Sequence, residues 1–227
     1  MNAPQKSRAS QIFGSPGFWI VLVGAIFFGN IIRSVTATVP EPPKPLYGVP
    51  NFTLVDQTGE GFGTEQLRGK IWIANFIFTS CPTMCPELTT KMQRVKHRVR
   101  GMGNAVHLVS FSVDPERDTP DVLARYAVRY GASPTKWSFL TGDLSSVEDA
   151  VVNGFKMTMD RQEGSSVFDI THGQRFVLVD PDMKIRGFYE TDKPGLDRLM
   201  KDVGLLSAFY QRKAVEALKA VVEGSNS

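Results

Sequence analysis

Thiol and imidazole groups are scarce in this chain: 227 residues carry 2 cysteines and 3 histidines. So low a cysteine count excludes a disulfide-stapled scaffold and any zinc site built from four thiolates. Strong charge is missing too. The 26 basic and 23 acidic side chains leave a formal net charge of +3, short of the concentrated basic face that nucleic acid requires, so no nucleic-acid partner is expected. No internal repeat is visible, which removes solenoids and propellers. What is present is an ordinary globular mixture, 42% hydrophobic, 10% aromatic and 22% charged. That suffices for one domain with a sizeable core plus appendages.

The N-terminal region reads as an appendage. The 24 residues from Ala9 to Ile32 carry no charge, and Phe18 to Phe28 is almost wholly apolar. About 20 apolar residues cross a bilayer as a helix. Lys6 and Arg8 precede the stretch, which keeps the N-terminus inside and exports whatever follows Arg33. Residues 1–34 are therefore expected to be a cytoplasmic tip and a transmembrane anchor. A cleaved secretory signal, with small residues at Val35-Thr36-Ala37, is the competing reading and exports the domain equally. Residues 35–48 read as a proline-rich linker, extended and semi-rigid. The folded domain is expected over 49–206, followed by a C-terminal helix over 207–227.

Along the domain, Phe52 to Val55 predicts a short strand. Ile71 to Phe78 is a nearly continuous apolar run, as in a central strand covered on both faces. Leu88, Met92, Val95, Val99 and Met102 recur at helical spacing, with Gly101 or Gly103 closing the helix. Val106 to Val113 predicts a second strand, and Trp137 to Leu140 another. Between them, Asp118-Thr119-Pro120 reads as a cap and first-turn proline for a helix ending before Gly131. Ser145 and Glu148 form a capping-box pattern for a helix ending near Asn153. Arg175 to Val179 and Ile185 to Tyr189 read as a hairpin, and helices are expected over Gly195–Val203 and Ser207–Val222. This order implies an α/β fold, a mixed sheet flanked by helices. Ligands in such folds sit outside the carboxyl ends of the strands, which is where Cys81 falls.

The cysteines stand in Thr79-Ser80-Cys81-Pro82-Thr83-Met84-Cys85-Pro86. A separation of four would place both sulfurs on one face of a helical turn, about 5–6 Å apart at Cβ. Three readings stay open. A structural disulfide closing so small a loop would restrict the unfolded chain only slightly. A dithiol redox centre is favoured by a helix start, which stabilises thiolate. A soft-metal site for Cu(I) or zinc would need a further donor such as histidine. His97 lies on the polar face of a helix and is expected to be solvated. His107 begins a strand among apolar neighbours and is expected to be structural. His172 lies in a loop that leads into the strand at Arg175, and a central strand there would bring that loop to the end of the sheet that carries Cys81.

Leu67-Arg68-Gly69-Lys70, Phe76-Ile77-Phe78-Thr79-Ser80-Cys81-Pro82-Thr83-Met84-Cys85-Pro86, Ser112-Val113-Asp114-Pro115-Glu116-Arg117-Asp118-Thr119-Pro120, and His172 eight residues before Asp180-Pro181 together resemble the Sco (SenC) family. Members are membrane-anchored copper proteins that serve cytochrome c oxidase assembly. The resemblance spans about Val49 to Val203. It implies a thioredoxin-like fold and copper, as Cu(I) and Cu(II), held by Cys81, Cys85 and His172, with the two cysteines also able to form a redox disulfide. It implies the oxidase subunit carrying CuA as client, a copper donor protein as a further partner, and a domain facing the bacterial periplasm or the mitochondrial intermembrane space. Thr171 stands where many relatives have Asp, which leaves Asp169 and Asp114 as candidates to support the site.

The alternative function is a membrane-anchored thiol–disulfide reductase that keeps client cysteines reduced. Against it, three residues rather than two separate the cysteines, and no proline occurs between Val167 and Val179. Among weaker signals, Lys91 to Arg100 is basic without an acid and reads first as a solvated helix face, second as a dock for acidic partners or anionic headgroups. Met157 and Met159 read as core before they read as thioether ligands.

Overall fold

The computed structural model describes residues 16–36, 40–161, 168–171 and 174–224, with the side chains of 33–36, 158–161 and 168–171 left out of the description. The chain divides into two compact units, Met1–Pro40 and Glu41–Ser227. In the first, α1 spans Pro16–Thr36. Among the described residues no helix is long and apolar enough to cross a membrane.

The second unit is built on β3 (Ile71–Ile77), in which all seven residues are buried. On one side β3 pairs in parallel with β4 (Val106–Ser112), and β4 with β5 (Trp137–Thr141). On the other it pairs antiparallel with β8 (Arg175–Val179), which turns back into β9 (Ile185–Glu190). β1 (Thr53–Asp56) and β2 (Gly61–Gly63) extend the far edge, giving the order β2-β1-β5-β4-β3-β8-β9. A separate two-stranded ribbon, β6 (Thr158–Arg161) with β7 (Phe168–Thr171), was not anticipated from sequence.

Burial on both faces of β3 requires cover on both. Trp72 and Phe76 meet Phe155 at ring-centroid distances of 5.9 and 5.0 Å, and Phe111 and Phe52 join the same aromatic cluster. α3 (Met84–Val99) and α6 (Lys193–Gly224) pack on β3 and on each other. α3 buries Leu88, Met92, Val95 and Val99 of the predicted stripe, together with Cys85, but ends at Val99, leaving Met102 in the 3-10 turn Arg100–Ala105. The short α2 (Thr64–Leu67) precedes β3, and α4 (Pro120–Arg129) ends at Gly131, whose φ of +61° suits glycine.

Three expectations need correction. α5 (Leu144–Glu148) is capped by Asp143, which accepts Ser146 N–H at 3.0 Å, and not by Ser145. The carboxylate, one residue before the helix, is the stronger acceptor. A π-turn continues it to Asn153. The two C-terminal helices are one, because Leu199, Val203 and Leu206 form a buried stripe that runs through Gly204. Mid-helix glycine costs about 1 kcal/mol, which that packing offsets. Finally, Pro43 to Val49 lies against the β8–β9 hairpin: Leu46 N–H donates to Ile185 at 2.8 Å, Val49 N–H to Met183 at 2.8 Å, and Arg186 to the Pro43 carbonyl at 2.7 Å.

His107 is structural, as expected. It is buried on β4, hydrogen-bonded to Ser138 of β5 at 2.9 Å and stacked on Phe62. Burial first, then the charges of Lys70 and Lys136, lower its pKa to about 4. The unfolded chain therefore takes up this proton near pH 6.5, before the folded one does. Its stabilising effect is complete above about pH 6.5 and is lost as pH falls through 4, by roughly 3 kcal/mol at about 1.4 kcal/mol per unit. Urea unfolding at pH 7 and pH 4 should show that the difference between wild type and His107→Gln shrinks at the lower pH. A pH-independent difference would contradict the assignment.

Candidate metal centre

After Ile77 the chain leaves the sheet through Phe78, Thr79 and Ser80 and does not become helical until Met84. A carboxylate secures this exit. Asp118, fully buried, accepts the Thr79 N–H at 3.0 Å, the Thr79 hydroxyl at 2.5 Å and the Ser112 hydroxyl at 2.6 Å. Sequence had cast Asp118 as a helix cap. Thr119 occupies that position without a side-chain bond, and Pro120 supplies the first turn. The donors at the ends of β3 and β4 would be buried without an acceptor, a larger cost than an uncapped but solvated helix end.

Cys81 and Cys85 do not share a continuous helical turn. Cys85 is the second residue of α3, while Cys81 precedes the helix. Their sulfurs are instead linked through the backbone. Cys85 N–H donates to Cys81 Sγ at 3.4 Å, and Phe78 N–H donates to Cys85 Sγ at 3.5 Å. The Cys81 sulfur thus takes an orphan donor of the helix start, a task that Thr83, in the cap position, leaves undone. Both thiols are buried, 6% and 5% exposed, and unbridged.

The two environments push the thiols apart. For Cys81, burial raises the pKa, but the N–H groups of Cys85, Thr83 and Met84, with the Cys85 side chain, outweigh it and leave Cys81 below the ordinary thiol value. For Cys85, burial dominates, the charges of Cys81 and Asp118 add to it, and the pKa is pushed up to about 12 despite the Phe78 N–H. Beneath the pair, the Thr89 hydroxyl donates to the Cys85 carbonyl at 2.7 Å and meets the Tyr126 hydroxyl at 2.9 Å, joining α3 to α4.

Of the other expected residues, Asp114 is buried beside Arg117 at 3.3 Å, and burial raises its carboxyl. Asp169 stands in β7 opposite Asp160, its side chain outside the description. His172 lies outside the described residues. The next described residue after it, Gln174, donates its amide to Met84 Sδ at 2.8 Å, which places the approach to β8 against the start of α3. Met84, the first residue of α3, is 46% exposed beside Cys85, and no local pattern in the sequence marks it. His97 is exposed, as expected, and Met157 is buried in the core. Among the described residues no group of three or more His, Cys, Asp or Glu side chains could hold a metal ion.

A dithiol at the carboxyl end of a central strand, one sulfur on the start of the following helix, defines a thioredoxin-like domain with a soft-donor or redox centre. The SCO1/SenC family model matches residues 41–204, and the chain belongs to that family. The SCO1 protein homolog of Bacillus subtilis is 36% identical over 159 residues, covering 69% of this chain and 81% of that protein. The solved structure of BsSco, a member of the Sco family of cytochrome c oxidase assembly proteins in which a disulfide switch was identified, matches with a TM-score of 0.63 at 34% identity, over 74% of this chain and 98% of that one. Arabidopsis thaliana ScoI with copper bound matches with a TM-score of 0.57 at 26% identity, over 72% and 98%.

Two outcomes check this geometry. Iodoacetamide labelling, read by mass spectrometry, should titrate below an ordinary thiol at Cys81 and leave Cys85 protected to about pH 12. Cys85 reacting first would contradict the wiring. Asp118→Ala removes the acceptor of three donors, the buried Ser112 hydroxyl and two on half-buried Thr79, and should lower stability by about 3 kcal/mol at roughly 1 kcal/mol each, measured by urea denaturation.

Proposed function

We infer that the protein binds copper through Cys81, Cys85 and His172 and passes it to the CuA centre of cytochrome c oxidase. The observation that carries this reading is the pair of buried, unbridged thiols at the carboxyl end of β3. Two thiolates suit Cu(I), and an imidazole nitrogen accommodates Cu(II) as well. The donor set fits the cargo. Cys81 gives up its proton more readily than an ordinary thiol, whereas Cys85 holds a proton that a bound metal must displace, so copper affinity should rise with pH. His172 supplies the third donor, and the contact of Gln174 with Met84 supports its reach. Three protein ligands leave a position for an incoming donor atom of the client or of a copper-supplying protein.

The anchor belongs to the same proposal. α1 leaves Ile20, Val21, Phe27 and Phe28 between 63% and 72% exposed, a surface that water disfavours and hydrocarbon accepts. This supports attachment to a membrane; Lys6 and Arg8 before the helix favour the N-terminus inside and the copper domain exported, where the effective concentration near a membrane-bound client is raised.

A second reading has its own observation. The split between a low thiol at Cys81 and a high one at Cys85 suits thiol–disulfide exchange, with Cys81 attacking and Cys85 resolving. Copper titration of wild type, Cys81→Ser and His172→Ala separates the two. One tight copper per chain is expected, with a sulfur-to-Cu(II) charge-transfer band that disappears in Cys81→Ser. An unchanged stoichiometry in Cys81→Ser sinks the metal reading and favours the reductase. Unchanged affinity in His172→Ala removes the histidine from the ligand set.

A further inference from the structure

The sheet carries a concavity at the end opposite the cysteines. β4 begins there at Val106 and runs seven residues toward the thiol end, a distance of about 20 Å at roughly 3.3 Å per residue. A cavity of about 250 Å³ opens between the end of α3, the turn that follows it and the loop after α4. Its floor is apolar, with Val99, Val106 and Leu108 only 7%, 3% and 1% exposed. Its rim is cationic. Lys96, Arg100 and Lys136 line it with His97, and no acidic side chain is among the described lining residues.

These cations are not neutralised. None of the ion pairs among the described residues involves Lys96, Arg100 or Lys136. Lys96 Nζ donates to the Gly131 carbonyl and Lys136 Nζ to Asn104 Oδ1, both at 2.6 Å. Such neutral acceptors position an ammonium group without cancelling its charge. Elsewhere on α3, Lys91 pairs with Glu87 at 2.8 Å and Arg98 with Asp197 at 2.9 Å. The positive field is felt inside the fold: after burial itself, the charges of Lys70 and Lys136 help keep His107 neutral. Basic residues in a last helical turn complement the helix dipole, which accounts for Lys96 and His97. It accounts neither for Lys136, which comes from a different part of the chain, nor for a hollow with an apolar floor.

We propose that this cavity binds a phosphate monoester carrying a short apolar group, with the phosphate against Lys96, Arg100 and Lys136 and the apolar group on Val99 and Val106. Three cations match a dianion better than a single carboxylate. A guanidinium forks onto two phosphate oxygens, while the ammonium groups act as point charges. The volume of about 250 Å³ leaves room for a phosphate and a few carbons. The ester could belong to a phospholipid headgroup or to a soluble phosphate; the chemistry is shared. The site is independent of the copper reading, since none of its residues approaches the cysteines.

Isothermal titration of the full-length protein in detergent tests it, with hexyl phosphate, inorganic phosphate and hexylammonium as probes. One hexyl phosphate per chain is expected, bound at least tenfold more tightly than inorganic phosphate, with no uptake of hexylammonium. The Arg100→Gln/Lys136→Gln double variant should weaken hexyl phosphate at least tenfold while keeping the wild-type thermal midpoint and copper stoichiometry. Lys96→Gln provides a separate reading if the double variant loses its fold. Affinity indifferent to these substitutions, or equal binding of hexylammonium, would overturn the proposal. Vesicle flotation then distinguishes the source. A gain that depends on phosphatidic acid in phosphatidylcholine vesicles, and is lost in the double variant, assigns a lipid headgroup; hexyl phosphate binding without that gain assigns a soluble ester.

Discussion

Complete burial of β3 is the constraint from which the rest follows. A strand with no exposed residue must be covered on both faces, and the aromatic cluster around Phe155 and the pair α3 and α6 supply that cover. β4 pairs with it along its whole length and β8 with Trp72 to Ala74. Only at its carboxyl end do donors emerge without a strand partner. There the chain must find an acceptor within the fold, and Asp118 provides it for Thr79 and Ser112 together. The loop carrying the cysteines is thereby fixed where the central strand stops.

The same constraint separates the two thiols. Cys81 comes after the strand and before the helix, so its sulfur meets the unpaired N–H groups of the helix start. Cys85, the second residue of the helix, faces the buried strand end and the negative charges of Cys81 and Asp118. One sulfur is readied to lose its proton and the other to keep it. This arrangement serves a metal that arrives with proton release, and it serves exchange with a disulfide equally well. The choice between them rests on the third donor.

Much of this was legible in the sequence. The apolar run at Ile71, the helical stripe from Leu88 to Val99 and the hairpin about Asp180 all became the expected elements, because each is set by side chains that are neighbours in sequence. The reading of Asp118 failed for the opposite reason. Its partner Thr79 is 39 residues away, and the local pattern Asp-Thr-Pro favours a cap. The break expected in the C-terminal helix failed likewise, since packing of Leu199, Val203 and Leu206 overrides the local cost of Gly204. The attachment of Pro43 to Val49 to the hairpin depends on β9 being present to receive it.

By itself the sequence determined the donor chemistry: two cysteines, four residues apart, after a strand that must be central, and a short roll of histidines from which a third ligand could come. Residue type and spacing suffice for that, because the identity of a ligand atom is a covalent fact. Tertiary structure alone decided that Cys81 rests on the helix start, that Cys85 is held protonated, that Asp118 faces inward, and that Lys136 joins Lys96 and Arg100 around one cavity. Each of these depends on which distant groups share a low-dielectric space or an unsatisfied backbone donor. Only packing brings such groups together.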